Sequence, residues 1–267
     1  MKILIPILIG LLVVGCGKKE TVEPEAKSKS PSTSPAQEAN KTQPKTKPTV
    51  DPLRKGLVAY YPFNGNAKDE SGRGNHGEVK GANLGADRHG ETNRAYSFDG
   101  EDDYIDLGNK PEFNFGIGDF TLSFWVKGSQ IGNKYLMAKY KQDNKPGYAI
   151  GTKVEGNCAY AFIWDKGEGY YIATWGGKVP IDGNWHHVAV PYDRDAELVI
   201  YVDGEVAAKV NISSKSDSVD NSLNLTIGKQ SGGQNFNGSI DDVRIYNRAL
   251  SAEEVKALYD LEKPKEK

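Results

Sequence analysis

The chain has 267 residues and a formal net charge of −2, with 26% charged and 37% hydrophobic residues. It therefore lacks the strongly basic character that attracts nucleic acid, and we expect no nucleic-acid partner. Its 30 glycines and 14 tyrosines, set against only 2 methionines, are typical of short strands joined by tight turns. The composition predicts an all-β fold.

The first fifteen residues have the pattern of a secretory signal peptide. One lysine, Lys2, precedes an apolar run from Ile3 to Val14, which is shorter than the roughly 20 residues of a membrane span. The following VVGC resembles a bacterial lipobox, in which cleavage leaves a lipidated cysteine at the new N-terminus. This resemblance implies a lipid anchor at Cys16 that tethers the protein to a bacterial cell membrane or outer membrane, outside the cytoplasm. The alternative is an ordinary signal followed by a chance cysteine.

A polar linker follows, so that residues 16–54 comprise the anchor cysteine and a spacer. Residues 17–52 hold six of the thirteen prolines and no aromatic residue. Such a segment buries too little apolar surface to offset the entropy of ordering it, and we expect it to be disordered.

From residue 55 the pattern changes to short apolar or alternating runs separated by glycine, asparagine and aspartate. The runs are GLVAYYPF, AYSFDG, YIDLG, FTLSFWVKG, YLMAKY, YAIGT, AYAFIWD, YYIATW, WHHVAVPYD, ELVIYVDGEVAAKV, LNLTIGK and IDDVRIYN. Ser251 and Glu254 then match a capping box at the start of a short helix. We expect one domain over residues 55–260 and a charged tail over 261–267.

The order of these pieces resembles the laminin G-like jelly roll of the concanavalin A-like lectin/glucanase superfamily. GLVAYYPFNG, DESGRGNHG, YSFDGEDDYIDLG, DFTLSFWVK, GNWHHVAVPYD, LVIYVDGE and FNGSIDDVRIYNRALSAEEV carry the resemblance. It implies an antiparallel jelly-roll β-sandwich.

The IDDVRIY run raises the question of what partner Asp241 has. Simple alternation places Asp241 with Val243 and Ile245 on a buried face, where an unpaired carboxylate is costly. The resemblance implies a structural calcium ion that joins the N-terminal loop to this strand, with Asp69 and Asp241 as ligands, and Asn64 can add an amide oxygen. The alternative is that Asp69 forms an Asx turn and Asp241 accepts backbone amides. Asp242 is expected to be a solvated charge.

Three other reactive side chains are expected to have structural roles. His186 and His187 are adjacent in a strand, so they point to opposite faces and cannot chelate one ion together. Cys158 alternates with aromatic residues and is predicted to be a buried small hydrophobe.

No pattern for catalysis is present. Retaining glycan hydrolysis needs two carboxylates about 5 to 5.5 Å apart, and the ExDxxE-type strand of the glucanases is absent, as is a GxSxG nucleophile context. We expect a monomeric, noncatalytic binding module.

The richest aromatic stretch, AYAFIWDKGEGYYIATWGG, reads as a hairpin. Trp164, Tyr170, Tyr171 and Trp175 are the predicted ligand-binding residues, because aromatic faces stack on sugar rings. The alternative is that these aromatics form the core of the sandwich. The expected partner is a glycan, and a cell-envelope protein is the second possibility.

Overall fold

The computed structural model describes residues 52–129, 132–141, 144–153, 158–167, 172–176 and 180–265. The signal peptide, Cys16, the linker up to residue 51, Tyr170 and Tyr171 lie outside these residues. Within the described part, no helix combines the length and the apolar character that a membrane span requires.

The described residues contain fifteen strands, two short 3-10 helices and one α-helix. The 3-10 helices are Pro52–Arg54 and Pro111–Phe113, and the α-helix, α1, is Ala252–Glu262. The strands are β1 (Leu57–Tyr61), β2 (Glu78–Lys80), β3 (Asn83–Gly85), β4 (Ala95–Asp99), β5 (Tyr104–Gly108), β6 (Phe120–Lys127), β7 (Lys134–Lys141), β8 (Asn144–Lys153), β9 (Cys158–Trp164), β10 (Ile172–Gly176), β11 (Trp185–Tyr192), β12 (Glu197–Val202), β13 (Glu205–Asn211), β14 (Leu225–Ile227) and β15 (Asn237–Tyr246).

These strands form two antiparallel sheets, which confirms the predicted sandwich. The eight-stranded sheet has the order β13-β12-β11-β6-β15-β4-β3, and β1 also pairs with β15 beside β4. The seven-stranded sheet has the order β10-β9-β8-β7-β14-β5-β2. The strands β2 and β3 were not predicted, because three residues are too few to show a periodicity.

The core lies between the two sheets and follows the alternation of each strand. In β6 the side chains of Phe120, Leu122, Phe124 and Val126 enter it, as the sequence predicted. The β9 strand contributes Ala159, Ala161 and Ile163. Because successive side chains of a strand point to opposite faces, the large aromatics of β9 must lie on the outer face of its sheet.

Local signals in the sequence place two further elements. Asp203 and Gly204, both with positive φ (53° and 78°), form the two-residue turn between β12 and β13 that the Asp-Gly pair predicts. Helix α1 begins with the predicted capping box of Ser251 and Glu254, and it ends two residues beyond the predicted domain boundary. It covers the outer face of the eight-stranded sheet with Leu250, Val255 and Leu258.

The alternation predicted for β15 is wrong at one point. Asp241 pairs with Trp125 and Arg244 with Ser123, so Asp242 and Val243 both stand opposite Phe124. Asp242 has a φ of 44°, which identifies the site of this β-bulge. The extra residue reverses the alternation, so Ile240 enters the core together with Val243 while Asp241 lies on the outer face.

Candidate functional site

The outer face of the seven-stranded sheet carries a cluster of aromatic side chains that is separate from the sandwich core. Tyr140 and Phe162 are buried in it together with Ala138 and Ala149, and partly buried aromatics surround them: Tyr135, Tyr160 and Trp164. Trp175 on the neighbouring strand β10 is 49% exposed. The aromatic hairpin therefore presents its large rings outward and its small residues to the core.

Strand register explains how this aromatic face is assembled. Trp175 stands opposite Tyr160, which stands opposite Gly151 on β8 and, through it, Tyr135 on β7. The next row along the strands is Ala173, Phe162, Ala149 and Ala138. Small residues thus alternate with large ones across the sheet, and this spacing leaves a depression between the rings.

Phe162 is the centre of this cluster. Its ring lies 4.7 Å from that of Tyr140 in an edge-to-face arrangement and 5.6 Å from that of Tyr160. Tyr140 in turn stacks on Trp164 at 6.4 Å. Ring pairs in such geometries fix one another's orientation, so the exposed edges form a preorganised surface.

A cleft of about 270 Å³ opens beside this cluster, formed by residues from β7, β8, β9 and the segment before β15. Its described lining residues combine rings with hydrogen-bonding groups and two lysines: Asn133, Lys134, Tyr135, Tyr140, Thr152, Lys153, Tyr160, Phe162 and Gln234. A concave site with aromatic walls and a few polar groups is the general form of a small-ligand or saccharide site.

Two of the four predicted ligand-binding residues, Trp164 and Trp175, lie on this face, and Tyr170 and Tyr171 fall outside the described residues. Tyr135, Tyr140 and Lys153 belong to the same surface but were missed. Their strands are remote from the aromatic hairpin in sequence, and only the alternation in YLMAKY indicated that β7 has an outward aromatic side.

On the opposite side of the molecule, the partner of Asp241 is Arg88. Its Nη1 donates to Asp241 Oδ2 over 2.7 Å, and its Nη2 lies 2.8 Å from Asp242 Oδ2. Asp242 is buried and also accepts a hydrogen bond from the hydroxyl of Tyr60, so the expectation of a solvated charge is wrong. The cause is again the bulge, which turns both carboxylates toward Arg88.

The last turn of α1 closes this ion cluster. The Glu262 carbonyl accepts from Arg88 Nε over 2.6 Å, and its carboxylate accepts from Trp125 Nε1 over 2.8 Å and pairs with Arg244. Burial and the neighbouring Asp242 raise the pKa of Asp241 to about 8, although Arg88 acts in the opposite direction. Two guanidinium groups thus face three buried carboxylates, which explains why one of them holds its proton more tightly.

The other predicted calcium ligands also have protein partners. Asp69 is nearly buried and accepts from the backbone amides of Tyr60, Ser71 and Asn75, which is the Asx-turn alternative. Burial alone raises its pKa, but these hydrogen bonds together lower the pKa of Asp69 below its usual value. Asn64 Oδ1 accepts from Arg94. A calcium ion shared by Asn64, Asp69 and Asp241 stays a prediction, and the structure lends it no support because each oxygen group is engaged elsewhere.

A different carboxylate group stands out among the described residues. One ligand oxygen from each of Asp99, Asp102 and Asp103 lies within 4.8 Å of the other two. Asp99 and Asp102 are exposed, and Asp103 is buried, with Oδ2 accepting from the Asp99 amide. This cluster follows β4, away from the aromatic cleft.

The two histidines have separate partners, as adjacent strand positions require. His187 Nε2 lies 2.8 Å from Ser123 Oγ beneath α1, and burial lowers the pKa of His187 to about 3. His186 Nδ1 lies 2.8 Å from Asp203 Oδ2, and this hydrogen bond raises the pKa of His186 while burial opposes it. Cys158 is buried, as predicted. Because the Ser123 and His187 side chains are buried, this pair is closed to a substrate.

Comparison with known proteins agrees with this architecture. Residues 99–256 match the Laminin_G_3 family model, described as the concanavalin A-like lectin/glucanases superfamily. A non-toxic nonhemagglutinin of Paraclostridium bifermentans is 25% identical over 179 residues, which is 64% of this chain and 14% of that protein. The chain therefore spans a small part of the length of this curated relative.

Solved structures with the same fold include binding domains of clostridial toxins. The binding domain of Paraclostridial Mosquitocidal Protein 1 matches with a TM-score of 0.66 and 22% identity, over 78% of this chain and 53% of that chain. The binding domain of botulinum neurotoxin DC, solved in complex with SialylT, matches with a TM-score of 0.62 and 15% identity, over 78% and 52%. The same toxin's domain in complex with rat synaptotagmin II matches with a TM-score of 0.60 and 14% identity, over 78% and 52%. At these identities the likeness shows the fold.

Proposed function

The chain belongs to the concanavalin A-like lectin/glucanase superfamily, and we propose that it is a noncatalytic module that binds carbohydrate on the outer face of its seven-stranded sheet. The observation that carries the proposal is the exposed Trp175 beside the cleft lined by Tyr135, Tyr160 and Phe162. Sugar rings present apolar CH faces to aromatic rings and hydroxyl groups to polar rims, and this surface offers both.

The preorganisation of the face supports binding rather than a purely structural role for these rings. Phe162 and Tyr140 are held from below by the alanine row, so a ligand that stacks on the cluster would order few additional side chains. Affinity then loses little to conformational entropy. An aromatic cluster needed only for stability would be expected between the sheets instead.

The toxin binding domains supply a second, weaker support. One of them was solved with SialylT, and this chain covers about half of that domain, so the carry-over to this protein requires a direct test. The same domain was also solved with rat synaptotagmin II, which makes a protein partner in the cell envelope the alternative.

Calcium has no part in the proposed binding step. Its predicted ligands Asp69 and Asp241 have protein partners, and the Asp99, Asp102 and Asp103 cluster lies away from the cleft. A structural calcium ion remains a separate proposal, which a comparison of melting temperatures in calcium and in chelator would test.

We also infer, from the sequence alone, that Cys16 carries a lipid and holds the domain outside the cytoplasm at a bacterial membrane. Metabolic labelling with a fatty-acid analogue should mark the chain, and Cys16→Ser should abolish the label. An unlabelled wild-type chain would remove the anchor from the account.

The binding proposal is tested with a glycan array probed by the purified full-length chain. We expect selective binding, and Trp175→Ala should lower the affinity at least about tenfold, because the loss of a central aromatic contact commonly exceeds 1.4 kcal/mol. Trp185→Ala is the matched control, since Trp185 lies in the other sheet. An array without binders, or equal effects of the two substitutions, would contradict the proposal.

A further inference from the structure

The cleft on the aromatic face is positively charged relative to the rest of the molecule. Its described lining residues include Lys134 and Lys153, the amides Asn133 and Gln234, and no carboxylate. The whole chain carries a formal charge of −2, so this local excess of positive charge does not reflect a generally basic protein. Charge of one sign at a concave surface attracts ligands of the other sign.

The position of Lys153 relates this charge directly to the exposed aromatic ring. Its Nζ lies 3.8 Å from the centre of the Trp175 ring and 5.7 Å from that of Tyr160. An ammonium group over an indole face is attracted by the electrons of the ring. The ring face best placed for stacking is therefore already covered by a cation.

This arrangement distinguishes neutral from anionic sugars. A neutral ring that stacks on Trp175 must displace Lys153 and offers the ammonium group only hydroxyl oxygens in return. A sugar with a carboxylate or sulfate gives Lys153 a charge-assisted hydrogen bond as the ring takes over the indole face. The same exchange leaves the lysine in contact with the ligand.

We propose that the cleft selects saccharides carrying carboxylate or sulfate groups, with Lys153 and Lys134 as the anion-binding residues and Trp175 as the stacking platform. This inference rests on the proposed carbohydrate function of the same face. It adds the chemical class of the ligand and the residues that determine the selectivity. Lysine suits this role as a point charge, because it accommodates both tetrahedral sulfate and planar carboxylate.

The test measures binding of three hexasaccharides to the full-length chain by titration calorimetry at two salt concentrations. Oligogalacturonate carries carboxylates, heparin hexasaccharide carries sulfates as well, and cellohexaose is neutral. We expect the anionic ligands to bind at least about tenfold more tightly than cellohexaose and to weaken as salt increases. The stronger of the two anionic ligands identifies the charged group that the site prefers.

Lys153→Met keeps the apolar stem of the side chain and removes its charge. It should abolish most of the preference for anionic ligands while leaving cellohexaose binding unchanged or improved, a split that general structural damage would not produce. Lys256→Met, at an exposed position of α1, is the matched control. Equal affinity for neutral and anionic ligands with a strong Trp175→Ala effect would overturn this inference and leave the proposed function standing. The absence of binding to all three ligands and to the array would overturn both.

Discussion

Arg88 Nη1 and Asp241 Oδ2 lie 2.7 Å apart beneath the last turn of α1, and both side chains are almost fully removed from solvent. This ion pair joins the loop after β3 to the bulge in β15, and Glu262 adds the C-terminal helix to the same cluster. A buried carboxylate that looked in need of a metal ion is therefore paired with a guanidinium from a distant loop.

Removal of Asp241 should destabilise the domain. In Asp241→Ala, Arg88 stays buried with one of its hydrogen bonds lost, and we expect the free energy of unfolding to fall on the order of 2 kcal/mol. Urea denaturation measures this loss. Asp260→Ala, at an exposed position in the same helix as Glu262, should change the stability by less than about 0.5 kcal/mol.

The same variant separates the ion pair from a calcium site. If Arg88 is the partner of Asp241, the drop in melting temperature caused by Asp241→Ala should be equal in calcium and in chelator. A drop that appears only in calcium would show that Asp241 is a metal ligand, and the pairing with Arg88 would then be secondary.

Glu262 should be as important as its burial suggests, although it stands near the end of the chain. Glu262→Ala removes the acceptor of Trp125 Nε1 and the partner of Arg244, and we expect a loss of about 2 to 4 kcal/mol in the free energy of unfolding. Leu261→Ala, at a neighbouring side chain that is 67% exposed, should be close to neutral. Comparable losses in the two variants would contradict the buried cluster.

The stability should decrease in acid because of His187. Its pKa is lowered to about 3 in the folded state, against about 6.5 in the unfolded chain, so the unfolded state takes up a proton first. The free energy of unfolding should therefore fall as the pH decreases from about 6.5 toward 3, and His187→Gln should flatten this part of the profile. His89→Gln, at an exposed position, should leave the profile unchanged.

His186 should show the opposite pH dependence. Its pKa is raised in the folded state by Asp203, so its contribution is complete below the unfolded value of about 6.5 and is lost as the pH rises through the folded value. The stability difference between wild type and His186→Gln should therefore shrink as the pH rises above neutrality. A constant difference would mean that the ion pair with Asp203 does not form.

The fold was accessible from the sequence where local patterns decide the structure. Alternation in β6, the Asp-Gly turn and the capping box of Ser251 each act over a few residues, and each is present as predicted. The face of Asp241 was not accessible, because one inserted residue reverses the alternation, and the identity of that residue, an aspartate at positive φ, is not a distinctive signal.

The candidate site was predicted in part for a related reason. Trp164 and Trp175 lie in one aromatic-rich stretch, so composition alone indicated them. Tyr135, Tyr140 and Lys153 reach the same surface through pairing of β7 with β8 and of β8 with β9, and the register of those pairs depends on the whole sheet. Arg88 was missed because a loop arginine carries no periodicity that would place it under a helix.

The central claim is tested most directly by the indole NH signals of the four tryptophans in a ¹H–¹⁵N spectrum during titration with an acidic hexasaccharide. Binding on the aromatic face should shift the signals of Trp175 and Trp164, while Trp125, whose Nε1 donates to Glu262 beneath α1, should stay in place. Shifts confined to Trp185, in the other sheet, or bound ligand without any change at Trp175 and Trp164, would contradict the account.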